Sequence, residues 1–164
     1  MTMRLVHGLI PFHQPRVETG RYLDENSFGL QRSGQAPACR SHWRDNDKIL
    51  ANPATWAVTS SGLMVMHVLD DRIEFEAAIL AEVAALRMGF SFGLGANPAA
   101  TRAAIAGDTR HIPYAEKPLR SVQIQHISYC NPCAFEQEPC RWLGAELEEM
   151  AGMLHHIADA RALR

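Results

Sequence analysis

The chain has 164 residues, the size of one ordinary domain, and a chain this long buries roughly two thirds of its unfolded surface without help. Its 47% hydrophobic and 21% charged residues are those of a globular protein, which excludes a disordered or fibrous chain. A formal charge of −2 argues against holding nucleic acid by neutralising phosphates, and no stretch approaches the ~20 apolar residues of a membrane helix.

The first twelve residues hold a short apolar stretch broken by His7, Gly8 and Pro11, which is weak for an export signal. The expected compartment is therefore the cytoplasm. There thiols stay reduced, and clustered cysteines act as metal ligands more often than as disulfides.

Taken in order, residues 4–10 predict a first strand, and residues 11–52, rich in Pro, Gly, Ser, Asn and Arg, predict long loops with short elements. Asn52-Pro53 has the form of a helix cap followed by a first-turn proline, which predicts a helix to about Ser61. Leu63 to Leu69 is apolar throughout and fits a buried strand or a second helical stretch. Asp71 and Glu74 stand in capping-box spacing before Phe75, Ile79, Val83 and Leu86, so a core helix is predicted from Asp71 to Gly89.

Asn97-Pro98 repeats the cap pattern and predicts a shorter helix ending near Gly107. Residues 108–120 read as loop, and Ser121 to Tyr129 as a strand in which Val122 and Ile124 alternate with Gln123 and Gln125. A last helix is predicted from Pro139 to about Ala160, with Leu143, Leu147, Met150, Leu154 and Ile157 on one side. Together these elements predict a single α+β domain over residues 1–164, mostly helical, with a small antiparallel sheet, long N-terminal loops and a metal-stapled C-terminal helix in the 121–164 region.

The staple is expected from the cysteines. Cys130 and Cys133 form a two-residue knuckle able to grip one soft metal, and Cys140 follows in what would be the first turn of the last helix, where amide donors favour a thiolate. With Cys39 they make a four-cysteine set for zinc or an iron–sulfur cluster. Cys39 with His42 makes a second knuckle, which would give a three-cysteine, one-histidine zinc set with Cys130 and Cys133. His126 is a further alternate, ranked lower because four extended residues place it about 13 Å from Cys130. Trp43 and Trp142 follow the outer ligands and would shield the metal from solvent.

One upstream cysteine followed by Cys130-x2-Cys133-x6-Cys140, with Phe135 inside, resembles the iron–sulfur staple of AddB-type nucleases over about a dozen residues. Such nucleases also carry an acidic residue two positions before a lysine. Here Asn46 and Ala115 stand two before Lys48 and Lys117, so the resemblance implies a cluster site and no nuclease activity.

Other patterns are incomplete. Gly93-Leu94-Gly95 before Asn97-Pro98 has the outline of a phosphate-cradling loop but lacks the third glycine and the Gly-Lys-Ser/Thr ending. His155 and His156 diverge by about 100° on a helix and suit solvent. No His-Glu-x-x-His or Gly-x-Ser-x-Gly pattern occurs. The expectation is a metal-stabilised binding or regulatory protein, with zinc as cofactor and another protein as partner. The alternatives are an iron–sulfur sensor, or a metal-dependent enzyme with His7, His13 or Asp45 in an N-terminal pocket.

Overall fold

The computed structural model describes residues 3–15, 21–40, 49–94, 117–133 and 135–143. Among these, 47% lie in strands and 11% in one short helix, so the expected mostly helical class is wrong. The reason is visible in the pairing of segments whose local signals had favoured helix.

A five-stranded antiparallel sheet has the order β10-β1-β6-β5-β3, with β1 at Met3–Pro11, β3 at Ser33–Ala36, β5 at Ala54–Val58, β6 at Gly62–Asp70 and β10 at Arg141–Trp142. Period-2 alternation explains its core strands. Val6 and Ile10 of β1 are buried, and Leu63, Val65, His67 and Leu69 of β6 point to the same side, with Ile10 opposite Leu63 and Val6 opposite His67. The ambiguous run 63–69 is thus a strand.

The predicted helix at 52–61 is β5 instead. Trp56 pairs with Val65 and Ala54 with Ala36, while the Asn52 amide donates to the Val68 carbonyl rather than capping a helix. The β-favouring residues Thr55, Trp56 and Val58 suit a pleated, half-buried surface, and two neighbouring strands outweigh a local cap signal.

The helix α1, Glu74–Ala84, lies inside the predicted 71–89 span and buries Glu76, Ile79, Leu80 and Val83. Its N-cap is Ile73, with no side-chain cap, so Asp71 and Glu74 form no capping box. It also stops before Gly89. Leu86 takes a left-handed conformation at φ 57°, and Gly89 opens the next strand.

A second sheet has the order β4-β9-β7, with β4 at Ala38–Arg40, β7 at Gly89–Leu94 and β9 at Ile124–Cys130. β7 runs antiparallel to β9, and β4 parallel to it. β2 (Arg21–Tyr22) and β8 (Lys117–Pro118) form a short parallel pair. The region 11–52, expected to be loops with short elements, therefore supplies strands to all three sheets. The Phe90, Ile127 and Tyr129 side chains turn toward the first sheet, where they join Val6, Ile10, Trp56, Leu63 and Val65 in one core.

The last predicted helix fails at its start. Arg141 and Trp142 pair with His7 and Val6, and the Leu143 amide donates to the Leu5 carbonyl, so the chain there is an edge strand. Cys140 accordingly precedes β10 and has no place in a helical first turn; its amide donates to the Met88 carbonyl. The rest of that helix and the helix predicted from Asn97 lie outside the described residues.

Candidate functional site

The three-stranded sheet has two unlike faces. One is the aromatic core face just described. On the other, strand registers bring together Cys39 of β4, His126 and Ser128 of β9, and Ser91 and Gly93 of β7: Cys39 and Ser91 both stand opposite Ser128, and Gly93 stands opposite His126. Exposures of 2% for Cys39 and Ser91, 0% for Ser128 and 6% for His126 show that this polar face is as buried as the core. Burying hydroxyls and an imidazole costs free energy that apolar side chains would avoid, so packing alone does not explain the choice.

A break in register just before the histidine lets Ile124 and His126 face opposite sides. Gly93 pairs with His126 but Leu94 pairs with Ile124, leaving Gln125 as an extra residue on β9. The alternation of β9 shifts phase at this bulge. Ile124 packs on the core, while His126 turns to the opposite face beside Ser128. Bulges of this kind recur next to active sites because they redirect one side chain.

The imidazole of His126 then lies across Gly93, so close that a Cβ on that residue would overlap the ring. Ser91 and His126 are diagonal cross-strand neighbours, a relationship that spans about 7–8 Å between backbones and lies within reach of a long side chain. A serine hydroxyl within reach of an imidazole in a water-poor setting is a pairing able to activate the oxygen as a nucleophile. The nearby Cys39 thiol donates to the Ile127 carbonyl at 3.5 Å, and burial pushes its pKa up, so it is held as an unreactive thiol. The Ser128 hydroxyl has no hydrogen-bond partner among the described residues.

Of the expected metal ligands, the fold brings Cys130 and Cys133 together, with their sulfurs 2.8 Å apart. Two tetrahedral zinc ligands would stand about 3.8 Å apart, given Zn–S bonds near 2.3 Å. The thiol of Cys130 and the amide of Gly89 both donate to the Cys133 sulfur, which lowers the Cys133 pKa and raises that of Cys130. Cys140 is buried close enough to feel Cys133, and desolvation pushes its pKa up to about 12. Cys39 stands on β4 opposite Ser128. His42 falls in 41–48, outside the described residues, as do Trp43, Asp45 and the rest of the phosphate-loop pattern beyond Leu94. Among the described residues no group of three or more His, Cys, Asp or Glu side chains is placed to hold a metal ion.

The remaining candidates are scattered. Trp142 lies beneath the Arg4 guanidinium at 4.3 Å and packs on β1. His7 is on the outward side of β1 opposite Met66, and His13 is an exposed residue 3.5 Å from Glu25. No helix among the described residues is long and apolar enough to cross a membrane.

No protein-family model, curated protein or solved structure matches the chain. Ser91 was missed in the sequence because Ser91-Phe92-Gly93 matches no nucleophile motif. The available signal was alternation: polar Ser91, His126 and Ser128 interleave with Phe90, Phe92, Ile127 and Tyr129.

Proposed function

We propose that the protein is a serine hydrolase that cleaves acyl bonds, esters or amides, with Ser91 as nucleophile and His126 as the base. The observation that carries this reading is the gathering of both side chains on one buried face of the β7–β9 pair, where Gly93 leaves room for the His126 ring to lie over β7.

In this mechanism the Ser91 oxygen attacks the carbonyl carbon while His126 takes its proton. Collapse of the tetrahedral adduct expels the alcohol or amine, which receives that proton, and leaves an acyl group on Ser91. Water, deprotonated by the same imidazole, then releases the acid.

The test is labelling with a fluorophosphonate probe followed by peptide mapping, with hydrolysis of a panel of activated esters and unstructured peptides. Adduct on Ser91 alone, lost in Ser91→Ala and His126→Ala variants that keep the parental circular dichroism, supports the reading. Adduct on another serine, no adduct, or hydrolysis that persists in Ser91→Ala overturns it.

A further inference from the structure

At the other end of the β7–β9 pair, Gly89 stands opposite Cys130. The turn after β9 folds Cys133 back so that its sulfur lies 2.8 Å from that of Cys130 and 3.2 Å from the Cys130 carbonyl oxygen. We propose that Cys130 and Cys133 form a reversible thiol–disulfide couple that exchanges with small peptide disulfides of the glutathione type.

Three observations carry this. Both cysteines are half-buried, and they line an open cavity of about 460 Å³ together with Arg87, Asn131, Glu136 and Gln137. That volume suits a small peptide, and the charged and amide side chains suit its termini. The two thiols are also unlike each other. The Cys133 sulfur receives the Cys130 thiol at 2.8 Å, and the missing side chain at Gly89 is what lets the sulfur approach. A donor at this distance favours the Cys133 thiolate, the form that attacks disulfides. Finally, the other two cysteines are withdrawn: Cys39 is 2% exposed and Cys140 1%.

The exchange balances without a further reactant. The Cys133 thiolate attacks one sulfur of the external disulfide, breaking its S–S bond and releasing one small thiolate. Cys130 then loses its proton and attacks the Cys133 sulfur in the mixed disulfide, closing the internal bond and releasing the second. Two protein thiols are oxidised, one external disulfide is reduced, and two small thiols leave.

The experiment equilibrates the full chain in glutathione buffers of increasing oxidised fraction, with and without a chelator, then alkylates it and maps the modified cysteines. One transition in which two of the four cysteines lose alkylation together, mapped to Cys130 and Cys133, is the expected result. Cys130→Ser should stop the reaction at a glutathione adduct on Cys133, and Cys140→Ser should leave the transition unchanged. A disulfide that includes Cys39 or Cys140 overturns the proposal, as does a fully oxidised buffer that leaves all four thiols free. Thiols that react only after chelation overturn it in favour of a metal site. None of these outcomes depends on whether Ser91 is a nucleophile.

Discussion

The Tyr129 hydroxyl lies 2.9 Å from Nδ1 of His67, and this hydrogen bond ties the two sheets together through the middle of the core. The other ring nitrogen settles its direction. Nε2 of His67 is 2.8 Å from the Asn52 carbonyl oxygen, which only accepts, so Nε2 carries the proton and Nδ1 accepts from tyrosine. Burial raises the Tyr129 pKa well above its ordinary value, which keeps the hydroxyl a donor.

Tyr129→Phe should therefore cost more than a surface hydrogen bond. It leaves the 1%-exposed His67 ring with an unsatisfied acceptor, a loss of about 1–3 kcal/mol. Urea denaturation of the variant against the parent checks this, and a change under 0.5 kcal/mol would contradict it.

The same ring predicts a pH dependence. Desolvation lowers the His67 pKa below 6.5, opposed by the Asn52 carbonyl and the charge of Glu76. Because the unfolded chain takes up the proton at the higher pH, His67 contributes its full stability above 6.5. That contribution is lost as the pH falls from there through the folded value. Denaturation midpoints measured across this range should drop more steeply for the parent than for His67→Gln. Equal slopes would show that the ring is not held neutral.

Glu76 in α1 is 1% exposed and accepts amide hydrogens from Ala51 at 3.0 Å and Asp70 at 2.6 Å. It thereby fixes the helix to the end of β6 and to the chain entering β5. Glu76→Ala strands the buried Asp70 amide and releases the part-buried Ala51 amide, and should cost about 2 kcal/mol, whereas Glu76→Gln, which retains one acceptor oxygen, should cost less. Chemical denaturation of both variants distinguishes this anchoring role from simple packing, for which the order would reverse or vanish.

Gly93→Ala places a methyl where the His126 ring lies. Moving the ring or the strand should cost about 1–3 kcal/mol in stability. If His126 serves Ser91, the displacement should also lower the rate of fluorophosphonate labelling roughly a hundredfold, since sub-ångström alignment governs such reactions. Stability and labelling rate measured on one preparation separate the two effects.

Several elements were legible in the chain because their patterns are strong. The first strand and the core helix around Ile79 and Val83 follow from their apolar spacing, and the strand read at 121–129 is found at Ile124–Cys130. The helix predicted after Asn52 failed, and so did the helical start at Pro139, since Asn-Pro and a lone proline are signals of a single turn. Pairing with β6 and with β1 involves many residues at once and prevails. Of the site residues, the Cys130–Cys133 pair was legible because neighbours in sequence cannot stray far apart.

Composition, apolar periodicity and the spacing of the cysteine knuckle belong to the chain alone, because each depends on residues within a turn or two of one another. Which strands pair, and so which face each side chain meets, was decided only by tertiary structure. Ser91 pairs with Ser128 and Gly93 with His126, which puts His126 on the same face as Ser91, and since a shift of a single residue inverts every facing in a strand, that placement exists only once the register is set.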